Sequence, residues 1–265
     1  MAEKILVFIT CYNCAPQIPR VLAQFKPEYE DLFQEILVLD NRSTDATREA
    51  AAQAAAALPQ YNVTIMQNDE NVNLGGSHKV AFEYAARRGI DYAVILHGDD
   101  QGSIADLVPH LRAGRHREVD FLMGARFLPS SCVVGYSAFR IFGNLVFNVL
   151  FSVLTGHIIY DLGAGLNVFS VKALAGREYL RFPDRLTFNY YFTLWMVAAQ
   201  KKFTFFPLTW REDDQISNVK LFRQTMELLK IMGRWAISGK RLFSHLPTST
   251  RQYTGTVIYQ HEAKV

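Results

Sequence analysis

The chain has 265 residues, of which 49% are hydrophobic and 20% are charged. This composition excludes a disordered chain, because there is enough apolar surface to build a core and too little charge to keep the chain open. Lysine and arginine (28) barely exceed aspartate and glutamate (25), and a net charge of +3 does not indicate nucleic acid as a partner.

Apolar runs alternate with helical patterns in the N-terminal part of the chain. Four short runs rich in β-branched residues predict buried strands at 4–10, 34–40, 61–67 and 92–97. The segments 16–25, 44–58 and 76–88 predict helices, the second of which is capped by Ser43 or Thr44. This order predicts an α/β fold, a Rossmann-like, mostly parallel sheet with helices on both faces.

Two segments further along the chain are predicted to face a membrane. Residues 141–160 carry no charge and are long enough to span a bilayer, but Arg140, Asn144, Asn148 and Ser152 recur every four residues and so share one side of a helix. We therefore expect a helix that lies on a surface. Residues 219–237 predict a basic amphipathic helix, which suits either an anionic membrane or packing on the sheet with a solvated charged side.

These patterns predict one domain over residues 1–245. Its membrane-facing helices are expected near 139–156 and 219–240, and residues 246–265 are expected to form a C-terminal tail, to which no function is assigned.

The cysteines and the N-terminus indicate a cytoplasmic protein. Cys11, Cys14 and Cys132 are too few for a disulfide framework in a chain of this length, and Glu3 and Lys4 precede only a very short apolar run, unlike a signal peptide. Cys11-x-x-Cys14 lies between a predicted strand and a predicted helix, where thiol oxidoreductases keep their redox pair. Redox chemistry therefore stays open as an alternative.

Polar loops follow three of the predicted strands: Thr10–Asn13, Asp40–Asp45 and His97–Gln101. The carboxyl ends of strands in open α/β sheets are where ligands bind, so we expect the site at this edge. Gly75 and Gly76 precede a helix, where they serve either a tight turn or a close approach of the backbone to a ligand.

With these loops, the chain resembles family 2 glycosyltransferases of the GT-A fold, and within them the dolichyl- or polyprenyl-phosphate sugar synthases. VLDNRSTDAT resembles V-D-D-G-S-x-D-x-T, ITCYNCAPQIPRVL resembles P-x-Y-N-E-x-x-N-I, and NVNLGGSHKVAFEYA resembles the N-x-G-L-G-x-A motif and its helix. Later, GARF resembles G-S-R-Y, DLGAGLNVFS resembles D-x-x-S-G-F-R-V-F, and WREDDQISNVK resembles R-x-x-G-x-S-K. The motifs run in family order from about Lys4 to Lys220.

The resemblance implies a metal-dependent, inverting transfer of a hexose from a GDP-hexose or UDP-hexose donor to a polyprenyl phosphate. The protein would act in the cytoplasm, peripheral to the inner membrane face, with Mn²⁺ or Mg²⁺ as cofactor, and a homo-oligomer stays open. The residues that match nucleotide-binding positions are Thr10, Tyr12, Asn13, Asp40, Arg42, Gly75 and Gly76. For Asp40, a role as a turn or helix-capping carboxylate remains the alternative.

The loop after the fourth strand is the predicted metal site. Alternation along the strand directs His97, Asp99 and Gln101 to one side, and Gly98 and Asp100 to the other. The family's aspartate-x-aspartate then corresponds to His97-x-Asp99, and Gln101 matches a glutamine that reaches the metal in the synthases. An imidazole in place of a carboxylate favours Mn²⁺ over Mg²⁺. A polar turn with solvated aspartates is the alternative.

Two observations predict a phosphate acceptor: arginines at family phosphate positions, and few carboxylates that could act as the general base for a hydroxyl acceptor. Arg126 and Arg140 match family arginines that hold phosphate, and the late motif is matched by Arg211, Ser217 and Lys220 although its glycine is absent; surface charge is the alternative. A sugar hydroxyl needs a carboxylate base whereas a phosphate does not, and Asp161, whose family counterpart could be structural, is the obvious candidate. Transfer to a hydroxyl of a glycan or lipid-linked saccharide, and nucleotide-sugar binding without turnover, stay open.

Overall fold

The computed structural model describes residues 3–214 and 221–263. The strands in these ranges are β1 (Ile5–Cys11), β2 (Glu35–Asp40), β3 (Val63–Asn68), β4 (Tyr92–His97), β5 (Phe121–Ala125), β6 (Cys132–Val134), β7 (Leu166–Ser170), β8 (Phe203–Pro207), β9 (Thr209–Arg211) and β10 (Gly255–His261). The α-helices are α1 (Ile18–Leu22), α2 (Thr47–Ala55), α3 (Asn73–Arg87), α4 (Ile104–Arg112), α5 (Ala138–Thr155), α6 (Phe188–Ala198) and α7 (Leu221–Ser238).

The main sheet has the strand order β10-β3-β2-β1-β4-β7-β5-β8. Strands β3, β2, β1 and β4 are parallel, β7 is antiparallel between β4 and β5, and β8 pairs in parallel with β5. β6 and β9 form a separate parallel pair. The predicted mostly parallel α/β sheet is therefore confirmed.

Both faces of this sheet are covered, which explains why its strands are continuous apolar runs. Leu6 and Phe8 of β1 join the core under α3, α6 and α7. Ile5, Val7 and Ile9 join the core under α1, α2 and α4.

The predicted start of the second helix is wrong. α2 begins at Thr47, whose N–H donates to Asp45 Oδ1 at 3.1 Å. Ser43 does not cap it, because Ser43 Oγ accepts a hydrogen bond from the N–H of Asn13. The side chain expected to start a helix instead ties the loop after β1 to the loop after β2.

Residues 255–261 of the segment predicted as a C-terminal tail (246–265) form a strand of the main sheet. β10 pairs antiparallel with β3, in a register that runs from Gly255 opposite Asn68 to His261 opposite Val63. It covers the edge of β3, which would otherwise expose unpaired backbone groups.

Helix α5 contacts the protein along one side and is exposed along the other. Asn148 Nδ2 donates to the carbonyl of Tyr160 at 2.7 Å, and Ser152 Oγ accepts from the N–H of Ile159 at 2.9 Å, so these polar side chains face the protein. The opposite side exposes large apolar side chains, namely Phe139, Phe142, Leu145, Val146, Val149, Leu150 and Val153. By length and composition alone, α5 could cross a membrane.

A buried lysine joins α3 to the segment before α6 and to the C-terminal segment. Lys79 Nζ lies 2.7 Å from Asp184 Oδ1 and 3.0 Å from the hydroxyl of Tyr253, and it also donates to the carbonyls of Leu180 and Phe182. The Lys79 side chain is 1% exposed, and burial lowers its pKa, an effect that the Asp184 carboxylate opposes. We name this group of residues the Lys79 clamp.

We expect Asp184→Asn to lower the free energy of unfolding by about 3 kcal/mol, because it leaves the Lys79 ammonium buried without its counter-charge. Urea denaturation measures the change. Asp31→Asn is the matched control, since Asp31 pairs with Arg112 on the surface and its loss should cost less than about 0.5 kcal/mol. Equal small losses in both variants would contradict a structural role for the clamp.

Candidate functional site

A cavity of about 800 Å³ opens at the carboxyl ends of β1 and β2. The start of α3, the segment before α6 and the first turns of α7 complete it. Its lining is mostly neutral and polar: Thr10, Cys11, Tyr12, Asn13, Asn41, Asn71, Asn73, Leu74, Ser77, Arg185, Leu186, Arg223, Gln224 and Glu227. A cavity of this size and polarity can hold a nucleotide.

The structure brings three predicted nucleotide-binding residues, Thr10, Tyr12 and Asn13, to this cavity. Asn13 has a positive φ of 52°, and its Oδ1 accepts from the N–H of Thr44 at 2.8 Å. This hydrogen bond and the one with Ser43 hold the loop after β1 in place. Tyr12, in the same loop, is 46% exposed.

Asp40 does not reach the cavity. It is fully buried, and its carboxylate accepts from the N–H of Ser43 at 3.1 Å and from Gln67 Nε2 at 3.0 Å. These contacts are those of a turn carboxylate, the alternative that the sequence left open for Asp40. The neighbouring Asn41 lines the cavity. Arg42 is also outside the lining, since its guanidinium donates to Gln67 Oε1.

Gly75 and Gly76 permit a close approach of protein to protein. A Cβ on Gly75 would lie 2.5 Å from the Cβ of Phe188, and one on Gly76 would lie 2.4 Å from the Cβ of Val72. The N–H of Gly76 donates to the carbonyl of Asp184 at 3.1 Å. Both glycines thus allow close contacts between protein atoms at the start of α3, and the ligand contact that the resemblance implies for them stays a prediction.

The loop after β4 separates its two aspartates. Asp100 has a positive φ of 59°, and its carboxylate accepts from Arg20 Nε at 2.7 Å and from Gln24 Nε2 at 3.0 Å, on the α1 side. Asp99 accepts from the N–H of Gln101 at 3.3 Å. Burial raises the pKa of Asp99 to about 6.

His97 is buried beside this loop. Burial and the nearby Arg126 guanidinium lower the pKa of His97 to about 4, so its ring is neutral at pH 7. Its Nε2 is buried and has no hydrogen-bond partner among the described residues. Within those residues, no three His, Cys, Asp or Glu side chains lie close enough to hold a metal ion by themselves.

Arg126 and Asp161, predicted separately as a phosphate ligand and a base, form one buried ion pair. Arg126 Nε and Nη2 each donate to the Asp161 carboxylate at 2.8 Å, and the Arg126 N–H donates to it as well. The N–H of Gly163 is a further donor, so both carboxylate oxygens are satisfied. Burial lowers the pKa of Arg126, but the Asp161 charge more than offsets this effect.

Arg140 lies at the start of α5, next to the same pair. Its Nη1 donates to Glu212, and its guanidinium lies 4.3 Å from the ring centre of Tyr136. The Arg126 guanidinium lies 5.8 Å from that ring. Tyr136 therefore lies between the two arginines that were predicted to hold phosphate.

Of the three residues predicted from the motif at 210–220, the structure describes Arg211. Arg211 lies in β9, where its N–H donates to the carbonyl of Gln101 at 2.9 Å and so joins the metal loop to this strand. Its side chain is exposed. Ser217 and Lys220 lie outside the described residues.

The cysteine pair is buried against the metal loop. Cys11 lines the cavity, and a Cβ on Gly98 would lie 2.6 Å from its sulfur and 3.3 Å from that of Cys14. The hydrogen bond with Cys14 and burial raise the pKa of the Cys11 thiol well above its usual range. Redox catalysis needs a thiolate, so these contacts disfavour the oxidoreductase alternative.

Sequence reasoning missed several cavity residues. Asn41 and Asn71 come from loops and Asn73 from the start of α3, where the motifs were recognised through other residues. Arg185 and Arg223 belong to segments distant in sequence. Arg223 belongs to the basic amphipathic pattern predicted over residues 219–237, but that pattern does not indicate a cavity. Arg185 lies in no such pattern, and both arginines reach the cavity through the packing of α6 and α7.

Comparisons with known proteins agree with the fold. A family model described as Glycosyl transferase family 2 matches residues 6–175. Glucosyl-3-phosphoglycerate synthase of Mycobacterium tuberculosis superposes with a TM-score of 0.58 at 17% identity, over 98% of this chain and 90% of that chain. Its complex with Mn²⁺, UDP and glucosyl-3-phosphoglycerate gives 0.57 at 16%, over the same shares of 98% and 90%. S. aureus TarS 1-349 in complex with UDP gives 0.58 at 17%, over 88% and 66%. These likenesses confirm the GT-A-like fold.

We expect Asp161→Asn to lower the free energy of unfolding by about 3 to 5 kcal/mol, because Arg126 would remain buried without a counter-charge. Adding Arg126→Met to this variant should restore part of the loss, since no unpaired charge would then be buried. Chemical denaturation of both variants tests the ion pair. An Asp161→Asn protein that is fully stable but inactive would instead indicate a catalytic base.

Proposed function

The chain belongs to glycosyl transferase family 2, and we propose that it transfers a hexose from a nucleotide sugar to a polyprenyl phosphate at a membrane surface. The cavity at the ends of β1 and β2 receives the donor. The acceptor lies with its chain along α5 and its phosphate near Arg140, where that helix begins.

The observation that carries this proposal is the apolar surface of α5 and α7. We define this apolar surface by the exposed apolar side chains of α5 together with Phe222, Met226, Leu229 and Ile237 of α7. The helices are neighbours, since Trp235 Nε1 of α7 donates to the carbonyl of Leu154 at 3.4 Å. Contiguous exposed apolar patches mark contacts with lipid or protein.

Charge favours a lipid surface. Lys230, Arg234, Lys240 and Arg241, on α7 and the turn after it, are exposed cations close to the apolar surface. Cations beside an apolar helix face suit the anionic head groups of a cytoplasmic leaflet. α5 keeps its polar side on the protein, which favours a helix lying in the interface over one that spans it.

The state of Asp161 supports a phosphate acceptor. A hydroxyl acceptor needs a carboxylate free to take its proton, and both oxygens of Asp161 are engaged by Arg126 and Gly163. A phosphate is already anionic at neutral pH and needs no base. Arg140, of which only Nη1 is engaged by Glu212, has donors left for the phosphate.

The loop after β4 fits a divalent cation that arrives with the donor. His97 offers a neutral imidazole whose Nε2 has no partner within residues 3–214 and 221–263, Asp99 offers a carboxylate, and Gln101 an amide oxygen. The lack of a three-ligand cluster in the described residues is consistent with an ion that takes further ligands from substrate phosphates. Such an ion would stabilise the charge that grows on the leaving nucleoside diphosphate.

We expect Asp99→Ala to abolish Mn²⁺-dependent binding of the donor, because it removes the carboxylate of the proposed metal site. Asp100→Ala is the matched variant, and its effect should be milder because Asp100 contacts Arg20 and Gln24 of the α1 side. Calorimetry of UDP- and GDP-hexoses, with and without Mn²⁺, measures the difference. Equal losses in both variants would place the metal on a different carboxylate.

We expect Arg140→Ala to lower sugar transfer to a short-chain polyprenyl phosphate at least tenfold while donor binding stays nearly intact, since a charge-assisted contact is worth about 2 kcal/mol. The assay follows labelled sugar on the phosphate, on the corresponding alcohol and on free glycans. Arg112→Ala, which removes a surface arginine paired with Asp31, is the control.

A second variant separates phosphate binding from a merely structural role of Arg140. Glu212→Gln removes the partner of Arg140 and should leave transfer within a few-fold of wild type. A loss as large as that in Arg140→Ala would mean that the ion pair only holds α5 in place. Turnover of the alcohol or a glycan with an inert phosphate would favour the hydroxyl acceptor.

A further inference from the structure

Two polar side chains on the α1 side hold the loop after β4. Arg20 lies in α1, and Gln24 follows the end of that helix. Arg20 Nε donates to Asp100 Oδ2 at 2.7 Å, and Gln24 Nε2 donates to Asp100 Oδ1 at 3.0 Å. Each oxygen of the Asp100 carboxylate therefore has its own donor. The sequence motifs assign no role to Arg20 or Gln24.

Gln24 also connects the loop after β4 to the start of α4. Its Nε2 donates to the carbonyl of Gly102 at 3.2 Å, and its Oε1 accepts from the N–H of Ile104 at 2.9 Å. With the bond to Asp100, one amide side chain makes three hydrogen bonds to this short segment. The segment is thus fixed from α1 as a unit.

The backbone conformation at Asp100 decides where its neighbours point. Its φ of 59° lies in the left-handed region, which costs a non-glycine residue free energy. Asp100 separates Asp99 from Gln101, the carboxylate and the amide of the proposed cation site, so a change of its backbone would turn both side chains. The hydrogen bonds from Arg20 and Gln24 stabilise this conformation and offset its cost.

The Arg20 guanidinium is occupied by protein groups. Besides Nε, its Nη1 donates to the carbonyl of Pro16 at 3.1 Å, and its Nη2 donates to both oxygens of Asp214 at 2.9 and 3.0 Å. All three nitrogens therefore have protein acceptors, and Arg20 is not a free cation for a phosphate. The Asp100 side chain is only 9% exposed, so losing Arg20 would leave a mostly buried carboxylate without its counter-charge.

We propose that Arg20 and Gln24 are positioning residues for the cation site. They hold Asp100, and through it they set the Asp99 carboxylate and the Gln101 amide relative to each other. This inference rests on the cation site of the proposed function and is independent of the acceptor. Groups that orient metal ligands without touching the metal typically change metal affinity about 10- to 100-fold when they are removed.

Arg20→Gln and Gln24→Met test the inference, with Arg112→Gln as the matched control. Arg112 lies at the far end of α4, and the side chains of Arg20 and Arg112 are 45% and 50% exposed and each ion-paired. Gln24→Met removes the hydrogen bonds to the loop but keeps the charge and approximate size of the side chain. Calorimetry measures the Kd of Mn²⁺ with saturating UDP or GDP, whichever the wild-type protein binds more tightly, and the Kd of that nucleotide in EDTA.

We expect Arg20→Gln and Gln24→Met each to raise the Kd of Mn²⁺ about tenfold, because the ligands on either side of Asp100 lose their fixed geometry. The Kd of the metal-free nucleotide should stay within about twofold of wild type, and Arg112→Gln should change neither constant. A role in stability alone would not separate the two constants in this way.

Combining Arg20→Gln with Asp100→Asn tests whether Arg20 acts through Asp100. The double variant should bind Mn²⁺ no more weakly than Arg20→Gln alone, because the effects of residues that share one interaction do not add. Additive losses would mean that Arg20 and Asp100 act separately, which would overturn the inference.

Three further results would overturn the positioning role. The first is Mn²⁺ affinity that survives in Arg20→Gln and Gln24→Met, and the second is an equal loss of metal-free nucleotide affinity. The third is a loss confined to Arg20→Gln, which would indicate that its charge acts on the diphosphate. Wild-type protein that binds UDP and GDP equally with and without Mn²⁺ would remove the cation site itself. Tenfold effects in a protein that leaves polyprenyl phosphate unmodified would keep the positioning role and remove the proposed acceptor.

Discussion

The buried ion pair between Arg126 and Asp161 is the interaction on which the second half of the molecule depends. Arg126 directly follows β5 and Asp161 lies shortly before β7, so their bond closes the excursion that contains β6 and α5. Both side chains are almost fully buried, and neither charge could remain there alone. The pair therefore holds the two ends of this excursion together beside the sheet. It also places a cation beside His97, where it helps to keep the imidazole neutral.

Sequence reasoning predicted the half of the fold that local patterns determine. β1 to β4 are buried on both sides, so each is an uninterrupted apolar run, and the predicted strands match the observed ones to within about two residues. The order of strands and helices then fixes which loops meet at one edge, which is why Thr10, Tyr12 and Asn13 were found together. The four-residue spacing of Asn148 and Ser152 likewise predicted that they share one side of a helix, and the structure places that side on the protein.

The remainder depends on partners far apart in the chain, which leave no period in the sequence. Arg140 forms an ion pair with Glu212, which lies 72 residues away in the chain, and the Asp40 carboxylate accepts a hydrogen bond from Gln67. The motifs that contain Arg140 and Asp40 do not indicate that these side chains are already engaged by other protein groups. β10 (GTVIYQH) is short and lies more than 180 residues from its partner, and it pairs with the edge strand β3.

The histidine at the end of β4 follows from how deeply this loop is buried. Asp99 has a pKa near 6 because burial disfavours its charge, and a second aspartate in place of His97 would add a like charge close to it. One of the two carboxylates would then tend to keep its proton and be lost as a ligand. A neutral imidazole adds a donor atom without adding a buried anion, and burial together with the nearby Arg126 lowers the pKa of His97. The departure from two aspartates is thus compatible with a cation site in which most of the opposing charge comes from the donor's diphosphate.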